Sequence, residues 1–222
     1  MGYFLVANVL IAIHGIFFRF LLLRQRRFLV NRMILLGGCI LSLLVPLLQF
    51  QMLPNSIPVT NLLWQLPEVI VGDSESGSTN NWQVSETMLL VYCLVVGCLL
   101  FRLIWKYFQV SLMIREGRKE LNGKQVFVFH PKINGPASFF GYIFWNDALN
   151  KDAEGAAVAL AHERCHCQQL HSLDLLGMEL LSAVFWINPA VYLLKRDLRQ
   201  THEFLADAAA LAVAGPEGIK RL

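Results

Sequence analysis

Three long apolar segments, separated by polar residues, dominate the hydrophobic pattern of the chain. They cover about 3–23, 28–50 and 87–105. A helix that crosses a bilayer needs about 20 predominantly apolar residues, which is close to the length of each segment. The first segment lacks the basic start and small-residue cleavage site of a signal peptide, so we expect it to be retained. The pattern predicts a mainly α, multi-pass membrane protein with three transmembrane helices in residues 1–105.

Charges in the connecting segments predict how these helices are oriented. Basic residues follow the first and third segments: Arg24, Arg26, Arg27, Arg32, Lys106, Arg115, Arg118, Lys119, Lys124 and Lys132. Residues 51–83 contain no Lys or Arg. Because basic loops stay in the cytoplasm, we expect loop 51–83 to be external and residues 106–222 to form a cytoplasmic domain.

Composition agrees with a membrane protein. Hydrophobic residues make up 55% of the chain and charged residues 16%, against about 25% charged in soluble domains. Topology accounts for the basic residues and no DNA-binding element accompanies them, so direct nucleic acid binding is not expected. Cys165 and Cys167 would face a reducing compartment, where no disulfide is needed.

The sequence HERCH, which begins at His162, is the strongest chemical signal. Ala-rich residues before it favour a helix, which Asn150 or Asp152 would cap. Residues four apart share one helical face, so His162 and His166 can bind one metal ion while Glu163 acts on a water beside it. This HExxH pattern predicts one Zn²⁺ per chain; the alternative is an ordinary helix with two surface histidines.

A catalytic zinc ion usually takes three protein ligands and keeps a fourth position for water, so a third ligand is required. The helical segment 201–207 offers Glu203 as a carboxylate ligand and Asp207, four residues later, as an acceptor for a ligand histidine. His202 is the rival third ligand. Apolar neighbours predict that these acids are half-buried, whereas the alternative is a solvated acidic face. His202 and Tyr142 are also candidate helpers that would steady an oxyanion.

The cysteines of the motif raise the alternative of a zinc knuckle. On a continuous helix, Cys167 points away from the face of His162 and His166, and His171 lies nearly opposite that face. Cys165 lies closer, but a further ligand is unnecessary. We therefore predict packing roles for both cysteines.

A fourth apolar stretch, at about 173–194, conflicts with a simple span if Glu203 is a ligand. A single crossing would separate Glu203 from the two histidines, and two crossings would need about 40 apolar residues. Asn188 and Pro189 interrupt the stretch. We expect a re-entrant or membrane-associated segment; the alternative is a true fourth span, with Glu203 not a ligand.

Residues between the membrane segments and the motif favour strands. Residues 124–129 alternate polar and apolar side chains, and residues 137–145 are aromatic and β-prone. A small sheet beside the motif helix is expected, and its edge could hold an extended peptide by strand addition. The alternative for the aromatic residues is an ordinary core and a membrane-interface belt.

The order of these elements resembles the gluzincin membrane peptidases: HExxH, an apolar segment, then a Glu-x-x-x-Asp helix. Within that group the chain is most similar to the bacterial beta-lactam-sensor antirepressor family, the sensor-transducers of the bla and mec type. Further matching elements are Ser138-Phe139-Phe140-Gly141 and Asn188-Pro189, and the resemblance covers nearly the whole chain. The family is itself similar to peptidases that cleave prenylated proteins or misfolded membrane proteins.

The resemblance implies a zinc metalloendopeptidase of the bacterial cytoplasmic (inner) membrane, with a gluzincin-like α+β domain in the cytoplasm. Its expected substrate is a cytoplasmic protein, either a transcriptional repressor or the chain itself, cleaved in transmembrane signalling. The zinc held by His162, His166 and Glu203 would lower the pKa of bound water to about 7, and Glu163 would move the proton. Besides the substrate, the expected partner is the lipid bilayer. Whether a second copy of the chain joins it in a homodimer is left open by the sequence.

Two alternatives to this function stay open. One is a non-catalytic signalling scaffold with a structural zinc site, and the other is a quality-control or prenyl-protein-type zinc peptidase. Glu163 favours an enzyme, because a structural site needs no base. The chain departs from the sensor family because no extracellular penicillin-binding sensor follows. The sequence could therefore be part of a longer protein, and beta-lactam sensing is not inferred.

Overall fold

The chain folds into six helices and one small sheet within the part that the structure describes. The computed structural model describes residues 2–21, 27–49, 81–123, 125–146 and 155–218. The elements are α1 (Gly2–Leu21), α2 (Phe28–Gln49), α3 (Asn81–Glu116), β1 (Arg118–Asn122), β2 (Gln125–Phe129), β3 (Ala137–Phe139), β4 (Tyr142–Trp145), α4 (Ala156–Gln168), α5 (His171–Val184) and α6 (Pro189–Gly218). The mainly helical composition is confirmed. Most of the predicted external loop 51–83, and the predicted caps Asn150 and Asp152, lie outside the described residues.

Helices α1, α2 and α3 are long and apolar enough to cross a membrane, as the sequence predicted. The qualifying segments are Gly2–Phe20, Phe28–Leu48 and Glu86–Glu116. The third helix continues past its predicted end at Trp105, because no glycine or proline follows before Gly117. Its 36 residues span about 54 Å at 1.5 Å per residue, which exceeds the bilayer core of about 30 Å. Part of α3 must therefore extend beyond a bilayer that it crosses.

The predicted apolar stretch 173–194 is divided between α5 and α6. Helix α5 has 14 residues, or about 21 Å, which is too short to cross a bilayer core of about 30 Å. The chain turns at residues 185–188, where the side chain of Asn188 accepts a hydrogen bond from the backbone N–H of Ala190 at 3.0 Å. Helix α6 then packs against α4. This turn brings the downstream acidic residues back to the motif helix.

Helices α1 and α2 form one hydrophobic core with α5 and α6. Its fully buried members include Ile11, Phe18, Leu35, Met178, Val191, Leu194 and Leu198. Polar contacts fix the arrangement: the Asn188 amide donates to the backbone oxygen of Asn8 at 2.9 Å, and Arg19 pairs with Asp197 at 3.4 Å. The candidate membrane helices therefore pack directly on the two helices that follow the motif.

The packing of α1 on α2 predicts unequal effects at two adjacent glycines. A Cβ at Gly38 would overlap the ring of His14, which is itself bound to the carbonyl of Leu35 at 3.2 Å, whereas a Cβ at Gly37 meets nothing within 4 Å. We expect Gly38→Ala to lower the free energy of unfolding by about 1–3 kcal/mol, because overpacking moves neighbouring groups. Thermal unfolding in detergent micelles measures the effect, and Gly37→Ala is the matched control. Equal melting temperatures for the two variants would contradict the packing described.

The predicted small sheet is present, with strand order β1-β2-β4-β3. Strand β2 pairs antiparallel with β1 and parallel with β4, and β3 pairs antiparallel with β4. A two-residue turn joins β3 to β4, with Phe140 at φ 43° and Gly141 at φ 87°. Because the backbone at Phe140 is in the left-handed region, a non-glycine residue is held in a turn that glycine or asparagine usually forms.

The sheet lies between two helices, because side chains alternate across each strand. One face of the sheet packs on α4. Its side chains are Phe127, Phe129, Ile143 and Trp145, and they cluster with Cys167, Ala159 and Leu160 of α4. Val128 and Phe144 form a separate cluster with Val110, Met113 and Ile114 of α3. The sheet thereby connects the motif helix to the far end of the longest candidate membrane helix.

Candidate metal centre

Helix α4 presents the two histidines of the motif on one face. The helix begins at Ala156, its N-cap residue is Gly155 at φ 96°, and no side chain caps it. His162 and His166 are one turn apart, and their Nε2 atoms lie 3.1 Å from each other. Both side chains are half-buried. Two imidazole nitrogens thus converge on one point.

Helix α6 supplies the third group, as the sequence predicted. The Oε2 atom of Glu203 lies 3.4 Å from Nε2 of His162, and one ligand atom from each of His162, His166 and Glu203 lies within 4.8 Å of the others. Tetrahedral zinc bonds of about 2.0–2.1 Å place neighbouring ligand atoms about 3.3 Å apart. The observed separations of 3.1 and 3.4 Å fit that spacing. These three residues form a group that could hold a metal ion.

Asp207 occupies the outer side of the first histidine. Its Oδ1 atom lies 3.1 Å from Nδ1 of His162. A carboxylate there accepts the Nδ1 hydrogen, which leaves the lone pair of Nε2 directed toward the shared point. The side chains of Glu203 and Asp207 are 52% and 60% exposed. The expectation that these acids are half-buried was therefore wrong, because only the neighbouring face of α6, with Ala206 and Ala210, is buried.

His171 lies beside the site, which contradicts the expectation that it faces away. Helix α4 ends at Gln168, and Leu170 adopts φ 55°, so the chain turns before α5 begins. The turn places Nδ1 of His171 2.7 Å from Nδ1 of His166. Although the sequence carries no glycine or proline at this turn, the expectation of one continuous helix is wrong.

His202 is buried on the far side of His171 and does not join the metal-binding group. Its side chain is 1% exposed, its ring stacks on that of His171 at 3.9 Å, and its Nε2 donates to Asp174 at 3.0 Å. Arg32 of α2 also donates to Asp174, at 2.6 Å. A ring held in this way supports the neighbouring His171. The structure does not place His202 in the third ligand position, which Glu203 occupies.

Burial sets the protonation of these groups. Burial, together with the neighbouring imidazoles of His202 and His166, lowers the pKa of His171 to about 3. Burial also lowers the pKa of His166, although the carboxylates of Glu203 and Glu163 oppose the shift. Burial alone would raise the pKa of Asp174, but hydrogen bonds from His202 and Arg32 outweigh it and hold that pKa below its usual value. The lowered pKa values of His166 and His171 favour their neutral forms, and the neutral imidazole is the form that binds a metal.

The remaining predicted residues are Glu163, Tyr142 and the two cysteines of the motif. Glu163 is half-buried on α4, and its carboxylate is close enough to His166 to influence its pKa. Tyr142 packs into the cluster on the α3 side of the sheet, so the structure does not bring it to the site as a helper. Burial raises the pKa of both thiols, Cys165 and Cys167, whereas zinc binds the thiolate. These placements agree with packing roles for the two cysteines.

Sequence reasoning missed three residues around the site: Arg32, Gln169 and His171. Of these, His171 contacts His166, and the other two connect to the site through His171. Arg32 lies inside an apolar segment, and a charged residue there is itself a signal for a buried partner. Its partner Asp174 lies 142 positions away. A scan of the chain against protein-family models finds no match, and neither does a search of curated proteins. The function therefore has to be inferred from the chemistry of the site.

Proposed function

We propose that this protein is a membrane-embedded zinc metalloendopeptidase of the antirepressor type. One observation carries the proposal: two imidazole nitrogens and one carboxylate oxygen lie within 4.8 Å of one another, and a glutamate follows the first histidine. Two nitrogens and one oxygen suit zinc better than calcium or magnesium, which prefer oxygen ligands alone. Three protein ligands leave a fourth position for water or substrate.

Each residue of the proposed site has a separate role in peptide hydrolysis. When bound, Zn²⁺ would polarise the scissile carbonyl and lower the pKa of a water molecule to about 7. Glu163 takes one proton as the water oxygen bonds to the carbonyl carbon, and it delivers that proton to the nitrogen as the carbon–nitrogen bond breaks. Asp207 holds His162 in the tautomer that presents Nε2.

Exposure of the site favours catalysis over a structural role. Structural zinc sites are closed by four protein ligands, whereas the side chain of Glu203 is 52% exposed. Strand β3 lies at an edge of the sheet and contacts α4. An extended peptide that adds to this edge would lie next to the motif helix. The proposed substrate is an extended segment of a cytoplasmic protein, either a repressor or the chain itself.

The test is zinc-dependent hydrolysis by the full chain in lipid vesicles. The zinc-loaded protein is incubated with a peptide library made from cytosolic proteins, and mass spectrometry detects new amino termini. Cleavage that stops with a chelator and returns with zinc is expected. The same assay compares one prenylated peptide with its unmodified form, because a preference for the lipid-modified form would favour the prenyl-protein alternative. Bound zinc without cleavage of any peptide, or of the chain itself, would favour the scaffold.

A further inference from the structure

We propose that Arg32 of helix α2 is a positioning residue that sets the imidazole tautomer of His166 through Gln169 and His171. The proposal rests on the proposed function, because it takes His166 to be a metal ligand. Each connection follows from which atoms can donate a hydrogen bond and which can only accept one. The route runs from a helix that could cross a membrane to the metal-binding group.

Arg32 fixes the orientation of the Gln169 side-chain amide. Its side chain is 15% exposed, and its Nε donates to Asp174 at 2.6 Å. Its two terminal nitrogens donate to the backbone oxygen of Gln169 at 2.6 Å and to Oε1 of Gln169 at 3.2 Å. A guanidinium can only donate, so the amide oxygen, and not the amide nitrogen, must face it. The amide nitrogen points the other way and donates to Sγ of Cys165 at 3.3 Å.

Gln169 in turn fixes the tautomer of His171. The same Oε1 atom lies 3.2 Å from Nε2 of His171. Because an amide oxygen accepts, this Nε2 must carry the hydrogen. In a neutral imidazole the other nitrogen then holds a lone pair, so Nδ1 of His171 is an acceptor. The ring is also held in place by stacking on His202.

His171 finally fixes the tautomer of His166. The two Nδ1 atoms are 2.7 Å apart, and the one on His171 accepts, so the one on His166 must donate. A hydrogen on Nδ1 leaves Nε2 of His166 with its lone pair. That atom is the one that lies 3.1 Å from Nε2 of His162. The opposite tautomer would place a hydrogen where the metal ion binds.

Arg32→Lys is the first test of this route. Lysine keeps a positive charge near Asp174 but is a point charge, which cannot also fork to both oxygens of Gln169. Changes to such outer partners cost about 10–100-fold in metal affinity. We therefore expect Arg32→Lys to weaken zinc binding by about that factor, measured by competition with a chromophoric chelator on the full chain in micelles. Arg19→Lys is the matched control: Arg19 also joins a candidate membrane helix to an aspartate, Asp197, and among the described residues no hydrogen bond links that pair to His166.

Two substitutions of His171 separate positioning from simple packing. The Oδ1 atom of asparagine can accept a hydrogen bond near the place of the imidazole Nδ1, whereas leucine cannot accept one. We expect His171→Asn to keep zinc affinity close to that of the wild type and His171→Leu to weaken zinc binding by about 10–100-fold. Nitrogen-15 shifts of His166 in the zinc-free wild type, at a pH where the ring is neutral, should show the Nδ1-protonated tautomer.

The outcomes distinguish this inference from the proposed function. If the wild type binds no zinc, both fail. If the wild type binds zinc and Arg32→Lys binds it equally well, only the positioning role fails. Circular dichroism checks that each variant is folded. Should Arg32→Lys unfold, the His171 pair decides: equal loss in the asparagine and leucine variants would overturn the proposal.

Discussion

Replacement of Glu163 by glutamine is expected to leave zinc bound and to remove most peptide hydrolysis. Glutamine has nearly the same shape as glutamate, but its amide cannot take a proton from water. A positioned general base contributes about 10²–10⁴-fold to such a reaction. We therefore expect kcat to fall by at least about 100-fold. Zinc content should not change, because Glu163 is not one of the three converging groups.

The control for this variant is Glu179→Gln. Glu179 is also a partly buried glutamate, but it pairs with Lys195 at 3.1 Å outside the site. Its replacement should leave both zinc content and kcat close to those of the wild type. Hydrolysis at the wild-type rate by a zinc-loaded Glu163→Gln protein would show that another group is the base. Loss of zinc from that variant would instead place Glu163 among the ligands.

Spacing along a helix was enough to predict the metal-binding group. His162 and His166 share a face by helical geometry alone, and the Glu203–Asp207 pair offered a carboxylate with the same spacing. These predictions depend only on local structure and on ligand chemistry. The structure brings the predicted group together across α4 and α6. The zinc ion itself and the catalytic role of Glu163 stay predictions.

Contacts that depend on where a helix ends could not be predicted. His171 reaches His166 only because Leu170 adopts a left-handed conformation, which its residue type does not favour. Tyr142 could have lain on either face of the sheet, because the face depends on the position of the turn at Phe140. The ion pair of Arg32 with Asp174 joins residues far apart in sequence, and no local pattern specifies it.

The predicted re-entry of residues 173–194 links the membrane topology to the metal site. In the structure the stretch turns after α5, and α6 carries Glu203 to within 3.4 Å of His162. If Glu203 is a metal ligand, both ends of the stretch lie on the same side of the membrane. The identity of the third ligand therefore tests whether this stretch crosses the membrane as well as the chemistry of the site.

Replacement of Glu203 by alanine is expected to abolish zinc binding in the purified chain. Loss of one of three protein ligands leaves two histidines on α4, which hold zinc too weakly to survive purification. Metal analysis should find one zinc ion in the wild-type chain and none in Glu203→Ala or His166→Ala. Asp207→Asn is the control on the same helix. It removes an outer partner only, so it should weaken binding by about 10–100-fold without abolishing it.

The result for Glu203→Ala also decides the topology. Joint loss of zinc from both ligand variants requires Glu203 and His166 to bind the same ion, so residues 173–194 must return to the side from which they started. If Glu203→Ala instead keeps a full zinc complement, Glu203 is not a ligand. A fourth crossing of the membrane then becomes admissible, and the packing of α6 on α4 would have to be revised.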